Sequence, residues 1–342
     1  MRKNLSLVLI VLLAFSFTAK LSAAGKSDSK ANSPSSSQTS NKTIRIFCEH
    51  CSNSWEVSYQ WWYGAKKAGQ ELGITVNGGA ADDDSPAKNI ALIEQAIANK
   101  YDGIVSLSLV SDSYQVVYDK AAAAGIPVFT YHMDAPDSKR IAYFGPNQES
   151  YAKNSAHFVA DEMGKKGSVI TIQGTPSDTE SMIIDVFTKE INSYAPNIKV
   201  VGHINNTIDA AQSYQKITAV LQANPEVTGS FSCTSRGGAD FAKVCDELGI
   251  KIVSNVTMDP LSYNLDLLKQ GKLTGIVDQG ALTTGYNAVK ACYQWLTTGK
   301  LEAPFHTGIN YIPDVVVSTK NMAPYEEGIK AALQLQQNND NK

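Results

Sequence analysis

Two cysteines, a glutamate and a histidine stand together at Cys48-Glu49-His50-Cys51. Two thiols and an imidazole within four residues could bind a soft metal ion or cycle between dithiol and disulfide. The surroundings favour neither. A structural zinc site needs a second ligand pair at a set spacing, and the sequence has no other C-x-x-C and no H-x-x-x-H. A thioredoxin-type pair opens a helix, whereas this one continues a strand-like run in which Ile44, Ile46 and Cys48 share a face. A disulfide-like closure between Cys48 and Cys51 stays open, with a metal or redox role as the remote alternative. The five cysteines are an odd number, so no complete disulfide framework follows. Cys233, Cys245 and Cys292 read as small buried hydrophobes. Enzyme signatures are missing too: there is no G-x-S-x-G elbow, no G-x-x-x-x-G-K-[ST] loop and no G-x-G-x-x-G turn. Acids and histidines occur, but no spacing singles out a catalytic pair. The chain reads as a non-enzyme that needs neither cofactor nor metal.

Two other chemical groups, Asp134 and Asp259, stand at related places in a duplication. Residues 98–134 run A-N-K-Y-D-G-I-V-S-L-S, a helix-like stretch, then G-I-P-V-F-T-Y-H-M-D. Residues 223–259 run A-N-P-E-V-T-G-S-F-S-C-T-S, another helix-like stretch, then G-I-K-I-V-S-N-V-T-M-D. Each half is a β-α-β unit with an aspartate just past its second strand. The same alternation fills the chain. Strands are expected at Thr43–Glu49, Ile74–Gly78, Gly103–Leu109, Pro127–Met133 and Arg140–Phe144. In the second half they fall at Ser168–Gln173, Lys199–His203, Gly229–Cys233, Lys251–Val256, Leu273–Gln279 and Ile312–Ser318. Helices of ordinary length lie between them, and Pro324–Gln336 is the last. Alternation of this kind gives α/β lobes with parallel sheets covered on both faces. Such sheets bind ligands at the carboxyl ends of their strands.

The ends bound the setting. Arg2 and Lys3, the apolar run Leu5–Phe17 and the small residues Ser22-Ala23-Ala24 make residues 1–24 a cleavable secretory signal. The run is too short to span a bilayer, which takes roughly 20 residues. No cysteine precedes Cys48, so the expectation is a periplasmic protein that is not a lipoprotein. Residues 25–42 are a Ser-rich flexible linker. Cleavage would remove Arg2, Lys3 and Lys20 from the 30 basic residues, leaving 27 against 33 acidic ones. That excess of acid argues against nucleic acid as a partner.

From residue 43 to about 322 the chain resembles the type I periplasmic sugar-binding proteins of ABC importers, the ribose-binding-like group. The markers are Gly64-Ala65 and Leu72-Gly73, Asp102-Gly103-Ile104, Gly125-Ile126-Pro127-Val128, Asp134–Ser138 and Tyr143-Phe144-Gly145. Asp259, Lys269–Leu273, Asp278-Gln279, Gly285-Tyr286 and Ser318–Asn321 follow in order. The resemblance implies two Rossmann-like lobes joined by a three-segment hinge near 145–147, 279–280 and 310–312. The N-terminal lobe would be 43–146 plus 280–310, and the C-terminal lobe 147–279 plus 311–333, before a polar tail, 334–342. It implies a monomer that closes on a small sugar or polyol and presents it to an ABC permease. A chemoreceptor or sensor kinase is the alternative partner.

The resemblance also implies a site. Asp259 and Gln279 occupy places where such proteins bind sugar hydroxyls, and Trp55 a place where they carry ring-covering aromatics. Trp61 falls instead on the stripe with Gly64, Ala68 and Leu72 and reads as core. Ribose binders carry an Asp-Arg pair where this chain has His132 and Met133, which argues against ribose itself. Asp134 is common in the family at its place, and is also suited to hold the turn that follows. Thr234 matches a frequent asparagine. Arg236 is the nearest guanidinium to the expected cleft, because Ser181-Met182-Ile183 replaces the usual arginine region after Gly174.

Overall fold

The computed structural model describes residues 43–340, apart from 84, 175, 176, 206 and 208. The expected signal 1–24, the linker 25–42 and residues 341–342 lie outside the described residues. The chain runs β1 (Arg45–Ser52), α1 (Glu56–Leu72), β2 (Thr75–Ala81), α2 (Pro86–Ala98), β3 (Gly103–Ser106), α3 (Ser111–Ala123), β4 (Val128–Tyr131) and β5 (Ala142–Gly145). It continues with α4 (Gln148–Glu162), β6 (Lys166–Ile172), α5 (Asp178–Tyr194), β7 (Asn197–Ile204), α6 (Ala210–Ala223), β8 (Val227–Ser232), α7 (Gly237–Leu248) and β9 (Ser254–Met258). Last come α8 (Ser262–Lys269), β10 (Gly275–Asp278), α9 (Ala281–Thr298), β11 (Gly308–Tyr311), β12 (Val315–Val317) and α10 (Ala323–Asp340).

Two six-stranded sheets result, ordered β11-β5-β4-β3-β1-β2 and β12-β10-β9-β8-β6-β7. The first is parallel throughout. The second is parallel except for β12, which runs against β10. Parallel strands must be covered on both faces, which is why every residue of β3 and β4 is buried and most are apolar. In β1, Ile46 and Cys48 pack with Trp61, Ala65 and Cys292 from α1 and α9, whereas Phe47 packs with Ile93 and Tyr118 from α2 and α3.

The helices α1 and α9 meet backbone to backbone. A Cβ added at Gly64 would lie 2.4 Å from the Leu282 carbonyl oxygen, and one at Gly285 2.5 Å from that of Trp61. Glycine is required on both helices for this approach. Because α9 begins just after a crossing between the sheets, the contact fixes the direction in which the chain re-enters the first body.

The chain leaves the first sheet through Pro146-Asn147, where the Asn147 side chain caps α4 by accepting from Ser150 N at 3.1 Å. It returns through Gln279-Gly280 and crosses again between Tyr311 and Val315. Gly280 has φ +74°, and a Cβ there would lie 2.0 Å from Ile312 Cδ1, so the second and third crossings press against each other. One expectation needs correction. The last helix does not end at Gln336 before a polar tail; α10 runs on to Asp340. Its first turns pack with Leu265, Leu268 and Val317, and near its end Asn339 Nδ2 donates to the Tyr59 hydroxyl at 3.1 Å. Residues 334–340 are polar apart from Leu335 and lack a regular apolar stripe, so the helix period fades there while tertiary contacts hold the turns.

Candidate ligand cleft

The ends of β4 and β9 carry the same unusual backbone. His132, directly after β4, has φ +58°, and Asp259, directly after β9, has φ +63°. Left-handed backbone at a non-glycine residue costs about 1–3 kcal/mol and persists where the surroundings impose it. Here the imposed geometry is the same twice. His132 N donates to the Phe144 carbonyl on β5 at 2.8 Å, and Asp259 N to the Val277 carbonyl on β10 at 3.0 Å. The strands β4 and β9 hold matching places in the two sheet orders. Asp259 is therefore answered in the first sheet by His132, and the sequence pairing of Asp134 with Asp259 is two residues out of step. The segment between Gly249 and β9 is two residues longer than that between Gly125 and β4, and β9 is itself one residue longer, which together displace the apparent match.

Asp259 is held from several sides. Its Oδ1 accepts from Gln279 Nε2 at 2.8 Å, so the crossing segment and the strand end share a hydrogen bond. Among the described residues no donor reaches Oδ2. Burial pushes the carboxyl up to about 6, with the Gln279 hydrogen bond acting against the rise. The Asp259 carbonyl accepts from Leu261 N at 2.7 Å and from Asn264 Nδ2 at 3.0 Å. Asn264, on α8, also donates to the carbonyls of Ser235 at 2.8 Å and Met258 at 3.2 Å, tying together the ends of β8 and β9.

His132 faces a different environment. Its ring lies against Trp61, centroids 4.6 Å apart, and its carbonyl accepts from the Tyr143 hydroxyl at 2.8 Å. Burial lowers its imidazole to about 4, so it is neutral at ordinary pH. Among the described residues its Nδ1 has no hydrogen-bond partner, and the same holds for Trp61 Nε1, Ser108 Oγ two residues past β3 and the Tyr151 hydroxyl on α4. The Ser108 amide donates to the Met133 carbonyl at 3.1 Å, which places it beside His132. Tyr151 lies close enough to Cys233, Asp259 and Glu180 for their charges to add to the effect of burial on its phenol. Buried polar atoms without partners are uncommon and mark places where something else supplies the bond.

The remaining sequence candidates divide. Asp134 is already engaged: Arg140 Nε and Nη2 meet its two oxygens at 2.6 Å each, and Thr130 Oγ1 donates to Oδ1 at 2.7 Å. Thr234 Oγ1 accepts from Gly237 N at 3.1 Å and so caps α7. Arg236 turns to its own helix and to a neighbouring loop, with Nε 3.2 Å from Asp240 Oδ2 and Nη2 donating to the Thr207 carbonyl at 2.8 Å. Trp55 stands at the N-cap of α1 and is 37% exposed. A cavity of about 480 Å³ between the two bodies is walled by His132, Asp134, Tyr143, Asn147, Glu149 and Met182, among others. That size suits a small ligand. It brings together His132 and Asp134; Trp55, Thr234, Arg236, Asp259 and Gln279 are not in its walls. Sequence reading missed Arg140, Asn264, Tyr151 and Tyr263. The last, on α8, is close enough to Asp259 and Glu56 for their charges to raise its phenol beyond the effect of burial.

The cysteine pair serves the strand. Cys48 and Cys51 are fully buried and are not joined by a disulfide. Cys51 has φ +78° at a register shift in the β1–β2 pairing, where the strand bends. Between them Glu49 accepts from Cys51 N at 2.8 Å, Ser106 Oγ at 2.8 Å and Leu107 N at 3.2 Å, bracing β1 to β3. Burial raises Glu49 to about 7, and burial with the Glu49 charge holds the Cys48 thiol far above its ordinary value. Such a thiol is a poor nucleophile and a poor metal ligand. Among the described residues no group of three or more His, Cys, Asp and Glu is placed to hold a metal ion.

A family model described as a periplasmic binding protein domain matches residues 44–301. The chain is 26% identical over 238 residues to the D-apiose import binding protein of Actinobacillus succinogenes, which covers 69% of this chain and 76% of that one. An arabinose binding protein from Geobacillus stearothermophilus superposes with a TM-score of 0.77 at 23% identity, over 83% of this chain and 99% of the other. A solute binding protein from Burkholderia graminis, solved in complex with D-arabinose, does so with a TM-score of 0.69 at 26% identity, over 83% and 98%. With two α/β sheets of matching strand order, three crossings between them and a domain match over most of its length, this chain belongs to the periplasmic binding protein family.

Proposed function

We propose that this protein is the exported solute-binding subunit of an ABC importer and takes one small sugar or polyol between its two bodies. The observation that carries this is the matching pair of strained strand ends, His132 in one sheet and Asp259 in the other. Among the described residues no donor reaches the second oxygen of the aspartate, and the neutral imidazole offers a nitrogen without a partner there. A polyol has what both need: hydroxyls that donate to a carboxylate and either donate to or accept from an imidazole. Ser108, Tyr151 and Trp61 add further polar atoms of the same kind. The names of the relatives, which concern import of pentoses and similar sugars, and the secretory signal read from residues 1–24 support the same function.

In this reading residues 43–146 with 280–310 form one moving body and 147–279 with 311–333 the other. Gln279 lies on a crossing and reports closure to Asp259 through their hydrogen bond. Trp55 covers the sugar ring from the first body with its aromatic face. Asp134 acts indirectly by fixing Arg140 and the β4–β5 connection, and Thr234 and Arg236 shape the floor of the second body. A ligand that bridges both bodies binds well only when they are closed, so affinity and closure are one equilibrium. The permease then reads the closed form.

A thermal-shift and calorimetric screen of the chain from residue 25 onward, against pentoses, hexoses, polyols and nucleosides, tests the proposal. Saturable one-to-one binding of a polyol is expected. Binding of none of them, with turnover of any substrate, overturns it.

A further inference from the structure

Helix α8 has no N-terminal cap of its own. Its N-cap residue is Leu261, which has no side chain able to accept from the first free amides. The missing acceptor comes from across the cleft. Glu56, the first residue of α1, accepts from Ser262 N through Oε1 at 2.7 Å and from Ser262 Oγ through Oε2 at 2.8 Å. One turn along α1, Gln60 Nε2 donates to the Pro260 carbonyl at 3.3 Å. A carboxylate on the first amide of a helix satisfies an orphan donor and meets the positive end of the helix dipole. The donors belong to the body that carries β9, and the acceptor belongs to the body that carries β1.

This contact bears on the binding aspartate. Pro260, Leu261 and Ser262 directly follow Asp259, and α8 carries Asn264, whose amide holds the carbonyls of Ser235, Met258 and Asp259. Glu56 and Gln60 thus grip both the segment that leaves Asp259 and the helix that fixes its left-handed backbone. Opening the cleft separates the two bodies and returns the α8 N-terminus to water.

We propose that Glu56, supported by Gln60, is a positioning residue for Asp259: a helix cap lent by the opposite body that couples the approach of the two bodies to the set of the binding carboxylate. The proposal rests on the sugar-binding reading for the role of Asp259, but its test requires no sugar.

Hydrogen exchange read by mass spectrometry on the ligand-free chain from residue 25, together with small-angle scattering, compares wild type with Glu56→Ala and Glu56→Gln. In Glu56→Ala the amides of 261–265 should exchange roughly tenfold faster, the lower end for loss of a charged hydrogen bond. The radius of gyration should rise, while peptides from β6 and β8 keep their protection. Glu56→Gln retains one acceptor and should lie between the two. Unchanged exchange at 261–265, or an equal rise across both bodies at a lowered melting temperature, overturns the proposal. Local loss of protection in a protein that binds no polyol would sustain the cap and refute the sugar-binding reading.

Discussion

Replacing Asp259 by asparagine should weaken sugar binding and strengthen the fold, two effects of opposite sign from one atom. Asparagine keeps the shape and tolerates φ near +63° better than most residues, so the backbone after β9 is undisturbed. Its carbonyl oxygen can still accept from Gln279. What disappears is a charge enclosed between the two bodies. Burial raises the Asp259 carboxyl from an ordinary 3.8 to about 6, so the folded state favours the protonated form. That contribution is fully present below about 3.8 and is lost as pH rises through about 6. At pH 7.5 the wild type therefore carries the whole penalty, of order 1–3 kcal/mol, and the asparagine variant carries none. Its melting temperature should be a few degrees higher at pH 7.5, and the difference should shrink as pH falls below 6. Binding should move the other way. A sugar hydroxyl loses a charged acceptor worth about 1.5–3 kcal/mol, a tenfold to hundredfold rise in Kd. Differential scanning fluorimetry at pH 7.5 and 5, with calorimetry for affinity, measures both. Unchanged affinity, or a melting temperature lowered at pH 7.5, would refute the reasoning.

Arg140→Ala should cost about 3–5 kcal/mol in urea denaturation, because it strands the Asp134 carboxylate among buried groups, and Asp134→Asn combined with Arg140→Met should recover much of it. Gly64→Ala should be destabilising by about 1–3 kcal/mol despite its better helix propensity, since its methyl group would meet the Leu282 carbonyl oxygen; thermal denaturation decides the sign. Burial lowers His50 and His132 to about 4, so their contribution to stability is present above about 6.5 and lost as pH falls toward 4. His50→Phe keeps the packing against Trp62, and its stability by chemical denaturation should fall less than wild type between pH 7 and pH 4.5.

The architecture was legible because parallel strands buried on both faces leave mostly apolar runs such as Val128–Tyr131, bounded by helices of regular period. The site was legible only in part. Asp259 and Gln279 were read as residues that bind hydroxyls, and the structure adds that they bond to each other. The equivalence of His132 with Asp259 was hidden, since it lies in strand register and the sign of φ, and the unequal lengths of β4 and β9 and of the segments before them shift the letters that look alike. Arg140 escaped notice because its pairing with Asp134 depends on the fold of a short connection. Glu56 and Ser262 are 206 positions apart, and nothing local in either segment announces the other. The cysteine motif, whose spacing alone suggests chemistry, was read as the continuation of a strand; the structure buries both thiols there and bends the strand at the second.

A crystal structure of the protein with the sugar identified by calorimetry tests the central claim most directly. The sugar ring should lie between the two bodies, with a hydroxyl within hydrogen-bond distance of Asp259 Oδ2, another at the His132 imidazole, and the Trp55 face over the ring. A sugar bound elsewhere, such as in the cavity beside His50 and Trp62 at the end of α10, with Asp259 and His132 untouched, would contradict it.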